Sequence, residues 1–122
     1  MNPLGPVIAL YPMPTTLVGA TVNAKANFLA VAHVGILNHG TPQYLSIGLS
    51  KVHYSNAGIH ENRTFSICMP SEDLMVETDY CGIMTGMKTD KSALFDMASV
   101  QYWRLGPPVG KCWNVGKSLK EK

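Results

Sequence analysis

The sequence predicts a mainly β protein, an antiparallel barrel with a few short helices. Segments rich in β-branched and aromatic residues recur between turn-forming residues, the helical stretches between them are brief, and Gly and Pro interrupt every long run. A parallel α/β sheet would need longer crossover helices than this pattern supplies.

The first strand is expected over residues 17–22, Leu-Val-Gly-Ala-Thr-Val, ending in the polar Asn23-Ala-Lys-Ala turn. A second is expected over 28–37. Asn38-His-Gly-Thr-Pro42 follows it; Asn and Gly tolerate positive φ and proline extends the residue before it, so a hairpin should lead into a strand over 44–49. A short helix should begin near Ser55. Residues 63–69 alternate Phe65, Ile67 and Met69 with Thr64, Ser66 and Cys68, the period of a half-buried strand, and Pro70 closes it. Ser71 suits an N-cap, with Glu72 and Asp73 at the positive end of the dipole, and Gly82 suits a left-handed stop, giving a second helix that ends at Cys81-Gly82. Residues 85–90 read as a loop into a third short helix from Lys91 to about Ala98. From Gln101 on, Gly106-Pro-Pro, Gly110 and Gly116 break any long element, and four lysines after Gly110 keep the end solvated.

With 122 residues, 46% of them hydrophobic and 15% charged, the chain is expected to form a single domain over residues 1–122. Such a domain buries about two-thirds of its unfolded surface without needing disulfide or metal staples, and leaves little room for a deep private site, so an oligomer interface could supply missing walls. A net charge of +2 is too small to suggest nucleic acid as a partner. The longest apolar stretch, residues 28–37, is far short of the ~20 residues of a membrane-spanning helix. Pro3, Pro6, Pro12 and Pro14 interrupt the first residues and no basic region precedes an unbroken apolar core, so a secretory signal is not expected there. Cys68, Cys81 and Cys112 form no Cys-x-x-Cys pair and are odd in number, which fits a reducing, cytoplasmic setting, where Asn62-Arg-Thr64 is no glycosylation site.

Chemistry concentrates in two places. Lys51-Val-His-Tyr-Ser55-Asn-Ala-Gly58 lies between a strand and a helix, where free amides and the helix dipole attract anions; Ser55 could donate to a phosphate while Lys51 or a distant lysine neutralises it. The same residues also make an ordinary Ser N-cap beside a solvated lysine. Thr85-Gly-Met-Lys-Thr-Asp-Lys91 offers a second phosphate ligand, or a loop in which Asp90 caps a helix. No Walker or dinucleotide glycine pattern is present. His33, in an apolar strand, reads first as a hydrogen-bonded core or interface group. The four histidines lack ligand spacing for a metal, and Glu72, Asp73, Glu77 and Asp79 crowd one helix as a solvated face.

Asn27-Phe-Leu-Ala-Val-Ala-His33, Tyr54-Ser-Asn-Ala-Gly-Ile59, Glu61-Asn62, Phe65-Ser66, Pro70-Ser71, Thr78-Asp-Tyr-Cys-Gly82 and Asp90-Lys91-Ser92, in that order, resemble the flavoredoxin group of flavin reductase-like proteins. The resemblance implies an FMN-binding split barrel, a homodimer with flavin near the subunit interface, and hydride or electron transfer fed by NAD(P)H or a redox protein. It implies ring contacts from Asn27, from the backbone of Ala30, Val31 and Ala32, and from His33, and places Tyr54, Ser55 and Lys91 near the phosphate. The family usually has tryptophan at the place of His33 and threonine at that of Ser55; serine keeps the hydroxyl, whereas histidine adds a titratable ring that could alter redox tuning. Residues 101–119 resemble the family's C-terminus yet follow almost directly on Phe95-Asp96. That implies a family segment missing after about residue 96, edges that need pairing, and, as an alternative function, an impaired flavin-binding or dimeric interaction module.

Overall fold

Asn23 and Ala24, at φ 51° and 61°, turn the first corner of the chain in the computed structural model. The structure describes residues 11–95, together with the backbone of Trp103–Arg104 and Trp113–Asn114. In chain order the elements are β1 (Thr16–Val22), β2 (Lys25–Val31), β3 (Val34–Ile36), β4 (Tyr44–Ile47), α1 (Ser55–Asn62), β5 (Thr64–Cys68), α2 (Met75–Ile83), β6 (Trp103–Arg104) and β7 (Trp113–Asn114). Single 3₁₀ turns occupy Glu72–Leu74 and Ser92–Leu94. The described strands form two antiparallel sheets, ordered β2-β1-β5-β6 and β3-β4-β7. The mainly β, antiparallel organisation expected from the sequence is the one found.

The turn at Asn23-Ala24 has positive φ at both central residues, which matches the twist of the strands it joins, so Lys25 is already in β2 and pairs with Val22. The strand expected over 28–37 is divided. β1 begins at Thr16 opposite Val31, so beyond Val31 the chain has no neighbour in the first sheet. It bends at Ala32-His33 and joins β4 instead, with Val34 N donating to Ala32 O at 2.9 Å and Gly48 N to His33 O at 2.7 Å. The expected hairpin from there into Tyr44 is present, closed by the Asn38 side chain, which donates to Pro42 O and accepts from Tyr44 N.

β1, β2 and β5 of the first sheet are buried on both faces. Val18, Ala20, Leu29, Val31 and Phe65 form one core with Ile59 of α1, while Leu17 and Phe28 form another with Cys81 of α2. β5 is therefore not half-buried as its alternation suggests: Phe65 and Ser66, on opposite faces, are both buried. Hydrophobic burial of this kind is worth about 1.5–3 kcal/mol for each large side chain. α1 presses so closely on β1 that a Cβ at Gly58 would overlap the Thr21 carbonyl. Asn62 Nδ2 fixes the contact by donating to Thr21 O at 2.9 Å, and Arg63, left-handed at φ 54°, ends the helix. α2 starts at Met75, after the 3₁₀ turn, and continues to Ile83. Gly82 is helical rather than a left-handed stop, and its bare face lies against Ala30, where a Cβ would sit 3.4 Å from the alanine methyl. Of the expected third helix only the 3₁₀ turn Ser92–Leu94 is found up to Phe95; its remainder, the expected gap after residue 96 and Cys112 lie outside the described residues.

Candidate functional site

Asn27 sits on the face of β2 shared with Leu29 and Val31 and is 6% exposed. Its Nδ2 donates to Ser55 Oγ at 2.7 Å. Ser55, 1% exposed, is the first residue of α1; Tyr54 precedes the helix with no side-chain cap bond, so the serine hydroxyl is directed to Asn27 rather than capping. The helix start is closed instead by Asn56 N donating to His53 O at 3.0 Å and Ala57 N to Tyr54 O at 3.3 Å. Tyr54 Oη accepts from Asn23 Nδ2 at 3.3 Å, tying the first hairpin turn to the same corner.

Lys91 reaches this corner from the far side. It is 2% exposed, and its Nζ donates to Phe28 O at 2.9 Å and Cys81 O at 3.0 Å. Among the described strands β2 is the outer one of its sheet, and Cys81 lies in the last turn of α2, so one ammonium satisfies a strand carbonyl and a helix-terminal one. Burial pushes the Lys91 pKa down, opposed by the nearby Cys81. Burial likewise pushes the Cys81 thiol up, with Lys91 opposing and Glu77 adding to the rise. An ammonium has three donors, and two are spent on these carbonyls.

Two clefts open around these residues. The larger, about 280 Å³, is lined by Lys25, Lys88, Lys91, Asn23, Asn27 and Tyr54 among others; the smaller, about 200 Å³, has Ser55, His53 and Thr85 with Leu29, Ile83 and Met84. The first is rich in cations and amides; the second adds apolar walls. At the rim Lys25 Nζ meets Asp90 Oδ2 at 3.0 Å. Asp90 Oδ1 also accepts from Ser92 N at 3.0 Å and Ser92 Oγ at 2.6 Å. These bonds from Ser92, then the one from Lys25, hold the Asp90 carboxyl well below the usual range. Asp90 thus closes the 3₁₀ turn, as its capping reading expected, while its neighbour faces the clefts.

Of the residues expected to act, Asn27, Tyr54, Ser55 and Lys91 are brought together here. Ala30, Val31, Ala32, His33 and Lys51 do not line either cleft: Lys51 is exposed in the turn before α1, and His33 is exposed at the bend between the sheets, not a core group. Lys25 and Gly86 were not singled out in the sequence, whereas Lys88 is one of the two cations of the loop read there as a second phosphate ligand. The one available signal was the cationic loop 85–91; nothing marks Lys25 until the two-residue turn is known to bring the start of β2 to this corner. Among the described residues no group of three His, Cys, Asp or Glu side chains could hold a metal ion, and no helix is long and apolar enough to cross a membrane.

The geometry defines a small antiparallel fold with a divided, cationic cleft beside the first hairpin, and solved structures share that fold. An FMN-binding protein from Thermus thermophilus, with bound p-hydroxybenzaldehyde, matches in fold with a TM-score of 0.75, over 96% of this chain and 77% of that one, at 17% identity. A flavoredoxin of Desulfovibrio vulgaris (Miyazaki F) matches at 25% identity and TM-score 0.76, over 99% of this chain and 74% of its own. A flavoredoxin from Methanosarcina acetivorans matches at 31% identity and TM-score 0.76, over 93% of this chain and 70% of its own. No protein-family model and no curated protein matches. The fold is that of the split barrels. Within them, the chain belongs to the flavoredoxin family of flavin reductase-like proteins.

Proposed function

We propose that this protein binds FMN and transfers hydride or electrons through it. The observation that carries the reading is the convergence of Asn27, Tyr54, Ser55 and Lys91 on one pair of clefts, in a chain 31% identical to a flavoredoxin. The donor set fits the group. A phosphate monoester needs hydroxyl and cationic donors, and Tyr54 and Lys91 with Lys25 and Lys88 supply them in the larger cleft; Ser55 lies in the smaller one, where the Leu29, Ile83 and Met84 walls suit a planar ring. Asn27 would orient the ring edge and Lys91 would neutralise the phosphate. When bound, flavin supplies the redox chemistry, and the protein contributes placement and tuning. Lys51 is proposed as an outer, solvated cation. Ala30, Val31, Ala32 and His33 are proposed to complete the ring side in a cytoplasmic homodimer, with NAD(P)H or a redox protein as donor.

A second reading, a flavin-binding or dimeric interaction module without turnover, draws on length: the chain spans 70% of the Methanosarcina flavoredoxin. We take that difference as a family segment missing after about residue 96. Reconstitution separates the readings. Protein incubated with FMN and desalted should be yellow, should hold FMN about ten-fold more tightly than riboflavin because of the charge-assisted phosphate bonds, and should accelerate NADH or NADPH oxidation. A yellow protein without oxidation supports the module. A colourless protein that does not quench FMN fluorescence ends both flavin readings and leaves only a dimeric interaction module.

A further inference from the structure

Asn27, Tyr54, Gly86 and Lys91 line both clefts, so they form the partition between them. The partition is closed by backbone. A Cβ at Gly86 would overlap Asn27 Oδ1 and lie 2.8 Å from Tyr54 Cδ1, so the peptide of residue 86 rests directly on the two side chains. The loop that carries it is shaped from within: Lys88 N and Thr89 N donate to Thr85 O at 3.1 and 3.2 Å, and Met87 N to Thr85 Oγ1 at 3.3 Å. All three bonds lie within residues 85–89.

We propose that Gly86 is a specificity-determining residue whose backbone forms a strap across one longer groove, dividing a cationic compartment from an apolar-walled one. A ligand with an anionic end and a planar end, the class on which the FMN reading rests, occupies both compartments only when the strap rises from Asn27 and Tyr54. A ligand confined to the cationic side leaves it seated. Glycine is required because any side chain at 86 holds the strap off permanently, and the two compartments then merge in the empty protein.

The test uses the full chain, wild type against Gly86→Ala, Asn27→Ala and the double variant. Without ligand, trypsin cleavage after Lys88 is followed by mass spectrometry. Gly86→Ala should accelerate it about ten-fold, the scale of a local overpacking strain. Asn27→Ala, which removes the side chain beneath the strap, should also accelerate it, and the second substitution should add nothing on top of the first, since both act on one contact. If Gly86→Ala does not fold, Asn27→Ala is judged against Ser55→Ala, which loses the same Asn27–Ser55 bond but keeps the side chain beneath the strap: faster cleavage in Asn27→Ala than in Ser55→Ala supports the strap, and equal cleavage overturns it. With ligand, stopped-flow quenching should show FMN associating about ten-fold faster with Gly86→Ala, while inorganic phosphate, read by competition, keeps its affinity within about two-fold. Wild-type cleavage in the variants, or faster cleavage with unchanged FMN association, overturns the proposal. Faster cleavage in proteins that take no FMN at all supports the strap and overturns the FMN reading instead.

Discussion

The side-chain amide of Asn27 and the hydroxyl of Ser55, 2.7 Å apart and both buried, join an outer strand to the first turn of a helix 28 residues away. Both groups are removed from water, so their bond matters mainly through what its loss exposes. Ser55→Ala leaves an Asn27 N–H buried without an acceptor. It should destabilise the fold by about 1–3 kcal/mol, the cost of an unsatisfied buried donor, read as a lower urea midpoint at unchanged slope. Ser55→Thr, which keeps the hydroxyl, should recover part of that loss. Equal midpoints for all three proteins would show that the pair does not hold α1 to β2.

Lys91 gives a second prediction, with a pH signature. Lys91→Met fills the volume but deprives the Phe28 and Cys81 carbonyls of their donor, and hydrogen bonds from charged groups are worth about 1.5–3 kcal/mol each. The native pKa of Lys91 is lowered by burial from the ordinary 10.5. Between its native value and 10.5 the unfolded chain therefore binds more protons than the native one, and stability rises with pH across that window. Below it the burial penalty on the ammonium is fully present. Wild-type stability minus that of Lys91→Met should thus increase as pH is raised toward 10.5, and a difference that is flat or falling contradicts the assignment.

Much of this arrangement could be read from the sequence, and the unread part has a common cause. Val18, Ala20, Phe65 and the hairpin before Tyr44 follow from local composition, because β-branched residues, alternation and Asn/Gly turns act through neighbours in the chain. The division at Ala32-His33 does not: residues 28–37 look uniform, and the strand ends where β1 supplies no partner. Likewise α2 passes through Gly82 where it packs against Ala30, and the Lys91 ammonium is buried against two backbone carbonyls, which no side-chain pattern advertises. The site was legible wherever the family motif names a residue whose side chain meets another, as at Asn27 and Ser55. It was not legible at Lys25 and Gly86, which reach the clefts only through the tertiary course of a turn and a loop.

Ala24 carries a cost visible in its φ of 61°. A hairpin turn of this type prefers Asn-Gly, and alanine in a left-handed conformation gives up about 1 kcal/mol relative to glycine. Ala24→Gly should therefore raise the urea midpoint, offset in part by the greater freedom of glycine in the unfolded chain, for a net gain of up to about 0.5 kcal/mol. Ala20→Gly, in the middle of β1, should do the opposite, since Ala20 packs in the core and has no such strain to relieve.

Asp90 supplies the acid limb of the stability profile. Hydrogen bonds from the Ser92 side chain and backbone, and then from Lys25, keep its native carboxyl below the unfolded value of 3.8. The unfolded chain binds the proton first as pH falls, so stability from these bonds is fully present above about pH 4 and is lost as pH drops through the native pKa. Asp90→Asn should be less stable than wild type at neutral pH, and the gap should close in acid. Lys25→Met should narrow the gap only slightly, and more at low salt than at high, because the exposed pair of Lys25 and Asp90 is screened whereas the bonds from Ser92 are not. Chemical denaturation of the three proteins from neutral pH to pH 3 measures this. A gap that widens in acid would mean that the carboxylate is held by something other than Ser92.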